Sequence, residues 1–145
     1  MSEINPEVLK VFGFWGSILV LKVMAMAPLT ARQRFRKRVF ANQEDVSFNP
    51  KAKVTFDDPD VERVRRAHLN DLENVVPWFI VTYLWLGTGP APWLAKTLIR
   101  TFVFSRVFHT ISYAILPQQP TRVISFFVGF AITGFEALKT LMYYC

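Results

Sequence analysis

The sequence has one cysteine, Cys145, at its last position. A single cysteine excludes a disulfide within the chain and argues against a cysteine-based metal site or an interior cysteine nucleophile. The two histidines, His68 and His109, lie far apart and lack a nearby carboxylate at metal-ligand spacing. Glycine-rich phosphate loops, nucleophile elbows and paired catalytic carboxylates are missing as well. We therefore expect no metal and no catalytic machinery of these kinds.

The N-terminus also lacks the features of a cleaved signal peptide. No basic cluster precedes the apolar run from Val8 to Leu29, which is too long for a signal-peptide core and has no clear small-residue cleavage site. Hydrophobic residues make up 52% of the 145 residues, aromatic residues 15%, and the mean hydropathy is +0.25. We interpret the first run as a retained membrane helix in a single-domain chain.

Apolar residues are concentrated in four stretches, each about as long as a bilayer core requires. Short turns at 87–92 and 117–120 separate the last three, so consecutive helices should be antiparallel. The sequence predicts an all-α, integral membrane, up-down four-helix bundle that forms one domain over 1–145. The predicted spans are about 8–31, 60–86, 93–116 and 120–144. A water-soluble four-helix bundle is the alternative, but Phe12, Phe14 and Trp15 would make a poor water-facing surface.

Positive charge is unevenly distributed. The net charge is +6, and ten of the 17 Lys and Arg residues lie between Arg32 and Arg66. Because cytosolic loops carry an excess of Lys and Arg, the long connection 32–59 is predicted to be cytosolic, with both termini across the membrane. Basic patches also bind nucleic acid, but this one lies between membrane spans, so we expect no nucleic-acid partner.

The segment from Glu62 to Asn74 carries three arginines, a histidine and acids directly into an apolar stretch. A charge at the bilayer centre costs about 2.5–3.5 kcal/mol on insertion scales, so such groups usually face a bundle interior. Arg66, Asn70 and Glu73 share one helix face. They suit a zwitterionic ligand, since arginine binds a carboxylate and glutamate an ammonium. The alternative is salt bridging on the helix surface, from Arg66 to Glu62 and to Glu73.

Other polar residues are placed by helical spacing. His68 lies off that stripe and is assigned an internal polar role. Arg106, His109 and Tyr113 share a face of the third helix. Arg122 begins the fourth helix, where it either extends to the interface or stabilises an anion at the cytosolic mouth of a cavity.

Four segments carry a resemblance to a known family, namely 39–45, 61–74, 106–113 and 120–122. Here the chain resembles the membrane-associated proteins in eicosanoid and glutathione metabolism, most closely the type-one microsomal glutathione transferase branch. The resemblance implies a homotrimer in the endoplasmic reticulum or mitochondrial outer membrane, with glutathione bound between subunits near the cytosolic side. It also implies conjugation of glutathione to hydrophobic electrophiles and glutathione peroxidase activity on lipid hydroperoxides.

The resemblance also implies roles for individual residues. The family's glutathione contacts fall on Arg34, Arg65, Arg66, His68, Asn70, Glu73, His109 and Tyr113. Arg122 matches the arginine near the thiol, so Arg122 and Tyr113 are the candidate catalytic residues. A nearby cation lowers a thiol pKa, ordinarily about 8.5, toward the reactive thiolate.

The chain departs from the family pattern at three positions. Leu69 and Val123 stand where prostaglandin E synthases carry an arginine and a serine, which favours the transferase branch. Val46 replaces the loop cysteine whose modification activates mammalian type-one enzymes. Two alternatives to a transferase are a glutathione-dependent prostaglandin E synthase and a non-enzymatic membrane lipid-binding protein of the same superfamily. The retained polar residues argue against the second, because a lipid binder has no need of them.

Overall fold

A computed structural model describes residues 3–47 and 51–145. Helices dominate it, which confirms the predicted all-α class. The helices are α1 (Pro6–Lys37), α2 (Gln43–Val46), α3 (Pro59–Leu86), α4 (Pro92–Thr110) and α5 (Thr121–Tyr144). A π-helical segment, Ile111–Ile115, continues α4. The predicted loop between the first two long helices also contains two short parallel strands, β1 (Val39–Phe40) and β2 (Lys53–Val54).

Helix ends follow local signals in the sequence. The Asn5 side chain accepts hydrogen bonds from the first turn of α1, and the Asp58 side chain does the same for α3. Proline occupies the first position of α1, α3 and α4, where its missing N–H costs nothing. α1 continues to Lys37, beyond the predicted span end at residue 31, and its last turn contains basic residues that complement the helix dipole.

The four long helices pack so that each has two principal neighbours. α1 packs against α3 and α4, and α5 packs against the same two helices from the other side. Trp78 and Phe102 stack at the centre, with ring centroids 4.3 Å apart. Gly16 permits close contact between α1 and α3, since a Cβ atom there would lie 2.9 Å from Phe79 Cε1.

An acidic residue at the start of α3 joins it to the end of α1. Asp60 forms ion pairs with Lys37 at 2.5 Å, Arg63 at 3.0 Å and Arg36 at 3.8 Å. These contacts close the long connection between the two helices, and the paired strands lie within that connection. The basic end of α1 is therefore held against the charged start of α3.

The outer surfaces of the long helices are strongly apolar. Phe14 is 62% exposed, and Phe127, Phe130 and Leu138 on α5 are similarly uncovered. α1 and α5 are long and apolar enough to cross a membrane, with best-window mean hydropathies of 1.8 and 1.4. α3 and α4 do not meet that criterion, which combines length, hydropathy and charge, and α4 carries Lys96, Arg100 and Arg106 within its 19 residues. Four spans, a single domain over 1–145 and a homotrimer remain predictions.

Candidate functional site

Three charged residues from three helices meet in the interior. Asp71 on α3 forms ion pairs with Lys22 on α1 at 2.5 Å and with Arg106 on α4 at 2.9 Å. The side chains of Asp71 and Arg106 are completely buried. Burying charges is tolerated only when they are paired and hydrogen-bonded, so this cluster requires all three helices in register. Thr110 adds a long hydrogen bond of 3.4 Å to the Asp71 carboxylate.

Arg106 extends this cluster to two of the predicted site residues. Its Nη2 donates to Asn70 Oδ1 at 2.7 Å and lies 3.3 Å from His109 Nδ1. Its Nε and Nη1 atoms are buried and have no hydrogen-bond partner within the described chain. Arg106 and His109, predicted to share one helix face, are thus in direct contact. Asn70 on α3 contacts the same Arg106 nitrogen.

Tyr113 and Arg122 form a second contact beyond His109. The Arg122 guanidinium carbon lies 4.6 Å from the Tyr113 ring centroid, a cation–π arrangement. The Tyr113 ring is 5.5 Å from the His109 ring. Tyr113 belongs to the π-helical segment, a local rewinding that occurs often at functional sites. Arg122 is therefore held against an aromatic ring, and both side chains are only partly exposed.

The arginines near the start of α3 point to a different surface. Arg65, Arg66 and His68 line an open cavity of about 290 Å³ together with Glu62, Leu69 and Leu72. Glu62 pairs with Arg65 at 2.7 Å and, in the described part of the chain, forms no ion pair with Arg66, so the alternative of a Glu62–Arg66 surface bridge is wrong. Among residues 3–47 and 51–145, Arg66 has no ion pair with Glu73 either. Arg66 remains exposed and available to an anionic ligand.

Asn70 and Glu73 line a groove between α3 and α5 of about 520 Å³. Its walls are polar around Asn70, Glu73 and Asn74 and mainly apolar toward Phe126 and Phe130. Such a groove can accept a molecule with a charged end and an apolar end. Asn70 lies both on this groove and in contact with Arg106, so it links the groove to the buried charges.

The remaining predicted residue, Arg34, lies in the last turn of α1. Its Nη1 atom is buried, and within the described ranges it has no hydrogen bond. No contact found in those ranges joins Arg34 to the other predicted site residues. Within one chain, contacts through Arg106 therefore connect Asn70, His109, Tyr113 and Arg122. A separate surface is lined by Arg65, Arg66 and His68.

The sequence did not predict the structural roles of two buried carboxylates, Asp71 and Glu136. Asp71 organises the interior cluster, and Glu136 on α5 accepts a 2.6 Å hydrogen bond from Thr82 on α3 while fully buried. A usable signal was present, because Lys22, Asp71 and Arg106 place opposite charges in apolar segments of three helices, where unpaired charges are costly. In the part of the chain described, no group of three or more metal-ligating side chains occurs.

Comparison with known proteins adds independent information. The MAPEG family model matches residues 12–142. The chain is 42% identical over 147 residues to microsomal glutathione S-transferase 1 of Homo sapiens, covering 96% of this chain and 94% of the human protein. Identity to the Mus musculus protein of the same name is 41% over 146 residues, with the same coverage. Prostaglandin E synthase of Bos taurus is 34% identical over 126 residues, or 87% of this chain and 82% of that protein.

Proposed function

The chain belongs to the MAPEG family, and we propose that it is a membrane glutathione transferase that joins glutathione thiolate to hydrophobic electrophiles. The proposal includes glutathione peroxidase activity on lipid hydroperoxides. One observation carries it, namely the path of contacts from Asn70 through Arg106 and His109 to Tyr113 and Arg122. This path combines hydrogen-bond donors for an anionic ligand with a cation suited to a thiolate.

Glutathione has two carboxylates, one ammonium and one thiol, and each finds a suitable group among the predicted residues. Arginine binds a carboxylate through two parallel N–H donors, a role for Arg65 and Arg66. Glu73, exposed on the groove, accepts the ammonium. The remaining proposed contacts are Arg34, His68, Asn70, His109 and Tyr113.

Arg122 is the proposed activator of the thiol. Its positive charge lowers the thiol pKa, so that the proton leaves to solvent and the sulfur becomes a thiolate. The sulfur then forms a bond to the electrophilic carbon, and the leaving group departs with its electron pair. With a hydroperoxide, the sulfur bonds to the terminal oxygen and the O–O bond breaks, which releases the alcohol after protonation and leaves glutathione sulfenic acid. A second glutathione thiol then attacks that sulfur, forming glutathione disulfide and releasing water. The Tyr113 ring stabilises the position of the Arg122 guanidinium through the cation–π contact.

We propose a homotrimer with glutathione bound between subunits. This assembly would explain why one chain leaves Arg65 and Arg66 on a surface apart from Tyr113 and Arg122. The apolar exteriors of α1 and α5 support an integral membrane protein. We assign it to the endoplasmic reticulum or the mitochondrial outer membrane, with the connection 32–59 in the cytosol, and expect neither a metal nor nucleic acid to take part.

A glutathione-dependent prostaglandin E synthase is the second candidate, since proteins of that name are 31–34% identical to this chain. Leu69 and Val123 weigh against it, because the synthases resembled by this sequence carry polar residues there. A lipid-binding protein without activity is a weaker alternative, because it would have no need of the polar residues that suit glutathione, namely Arg66, Asn70, Glu73, Tyr113 and Arg122.

Turnover of glutathione with a chlorinated nitrobenzene by the purified protein in detergent tests the proposal directly. We expect conjugation by the wild-type protein and a much lower rate for Arg122→Gln. Arg100→Gln is the matched control, because Arg100 is an exposed arginine on α4 outside the path of contacts. A protein that binds glutathione but converts only a prostaglandin endoperoxide would favour the synthase, and one that binds no glutathione would favour the lipid-binding alternative.

A further inference from the structure

Asp71 occupies an interior position from which it cannot touch a bound ligand. It is completely buried, and its carboxylate is surrounded by Lys22, Arg106 and Thr110. Two cations share this one carboxylate, which leaves one net positive charge in the cluster. Any effect of Asp71 on glutathione must therefore pass through the residues that it contacts.

Arg106 transmits such an effect because a guanidinium only donates hydrogen bonds. The Asn70 amide must turn its oxygen toward Arg106 Nη2, 2.7 Å away, which leaves both amide hydrogens free to donate elsewhere. His109 Nδ1 lies 3.3 Å from the same nitrogen, a longer contact, because the two hydrogens of Nη2 are already donated to Asn70 and Asp71. Arg106 thereby leaves the Asn70 amide as a hydrogen-bond donor toward its other neighbours.

The orientation of Arg106 is in turn set by Asp71. Nη2 is the atom that contacts Asp71 Oδ1, at 2.9 Å, as well as Asn70 and His109. Gly129 on α5 lies close to α4, since a Cβ atom there would lie 3.1 Å from Ser105 Oγ, and at 3.5 Å it would be in ordinary contact with Arg106 Cδ. Nε and Nη1 have no partners in the described chain, so Nη2 carries the orienting contacts.

We propose that Asp71 is a positioning residue for glutathione binding. Through Arg106 it holds the Asn70 amide, which lines the groove, so that its N–H donors are available to a glutathione carboxylate. The inference rests on the proposed function. The competing explanation is that Asp71 merely neutralises Lys22 and holds the helices together.

Equilibrium binding of glutathione to purified wild-type and variant proteins in detergent separates these explanations. Asp71→Asn should raise the Kd for glutathione by about tenfold or more, the scale of one lost charge-assisted hydrogen-bonding arrangement. Glu136→Gln is the matched control, a fully buried acid-to-amide change away from Arg106, and it should leave the Kd unchanged. At saturating glutathione, kcat and the thiolate absorbance per bound glutathione should stay near wild type in Asp71→Asn. The reason is that Arg122, the proposed thiol activator, is held by the Tyr113 ring and not by Asp71.

A double variant, Lys22→Met with Asp71→Asn, restores the single net positive charge of the wild-type cluster while leaving Arg106 without its carboxylate. Persistent weak binding supports positioning, whereas recovery of the wild-type Kd overturns it in favour of neutralisation. If Asp71→Asn does not accumulate as folded protein, Arg106→Lys provides the test. It keeps the charge but loses the planar donor geometry, so it should weaken binding, and a normal Kd would overturn the inference.

The outcomes also separate this inference from the function on which it rests. A wild-type protein that fails to bind glutathione overturns both. A wild-type protein that binds glutathione, together with an Asp71→Asn variant that binds equally well, overturns the positioning role alone. A kcat that falls in Asp71→Asn as much as kcat/KM does would also contradict it, since positioning for binding predicts a change mainly in KM.

Discussion

Replacing Arg122 with glutamine should remove most of the thiolate from bound glutathione. An opposite charge within about 4–6 Å lowers the pKa of an acid by about 1–3 units. A thiol with a pKa of about 8.5 is only ~3% ionised at about pH 7. A decrease of about two units raises that fraction to roughly three quarters, for a stabilisation of about 2.7 kcal/mol. Because Arg122 is held against Tyr113 at 4.6 Å, its charge has a defined position from which to act.

The assay is a pH titration of the ultraviolet thiolate absorbance of bound glutathione, combined with initial rates of conjugation. In Arg122→Gln the pKa of the bound thiol should rise by about two units. The absorbance and rate should therefore fall by roughly 25-fold at about pH 7 and recover as the pH is raised above the thiol pKa. The sign follows from the charge, since removal of a cation destabilises the anionic thiolate.

Two variants control for other effects of the substitution. Arg122→Lys keeps the charge and should retain most of the thiolate, although it loses the planar stacking on Tyr113. Arg100→Gln should leave the titration unchanged. Full thiolate absorbance and full rate in a correctly folded Arg122→Gln variant would refute the reasoning. Arg122 would then be an anchor at the membrane interface, and Tyr113 would be the next candidate for thiol activation.

Three further substitutions test the ligand contact and the packing. Glu73→Gln should weaken glutathione binding at least about tenfold in equilibrium titration, since losing one partner of a desolvated charge pair costs about 2–5 kcal/mol; normal affinity in the folded variant would make Glu73 structural. Gly16→Ala should lower the thermal unfolding midpoint, because the added carbon would lie 2.9 Å from the Phe79 ring. Gly13→Ala is the control and should leave the midpoint unchanged, since no atom lies within 4 Å of its added carbon. Equal midpoints for the two variants would contradict the close approach of α1 and α3. Thr82→Val should lower the free energy of unfolding by about 1–3 kcal/mol, because it leaves the Glu136 carboxyl without a hydrogen-bond donor. In chemical unfolding, the double variant Thr82→Val with Glu136→Leu should recover most of that loss. Equal stability of the two variants would show that the hydrogen bond contributes little.

The predicted helix class and the turns came from features that the sequence displays locally. Apolar runs of membrane length, a proline-rich turn before Trp93 and the acidic cap at Asp58 depend only on neighbouring residues, and each corresponds to an observed helix or helix boundary. The family resemblance followed from residues close together along the chain and is confirmed by the match over 12–142. Local patterns were sufficient here because capping and hydropathy act over only a few residues.

Partners across helices could not be predicted in the same way. Helical spacing placed Arg106 and His109 on one face, but it did not reveal that Asp71 would join Arg106 to Lys22. The alternative of surface salt bridging offered Arg66 as a partner for Glu62, whereas in the structure Glu62 pairs with Arg65.

The physical reason is that ion pairing between helices depends on how each helix is rotated and at what depth it packs. Those quantities are set by contacts such as Trp78 on Phe102 and by small residues such as Gly16 and Gly129, which let neighbours approach. The sequence alone therefore determined the helical class, the family and the types of residue that form the candidate site. Only the tertiary structure decided that Asp71 and Arg106 would form an ion pair next to Asn70 and His109, because that pairing requires α3 and α4 to pack in one particular register.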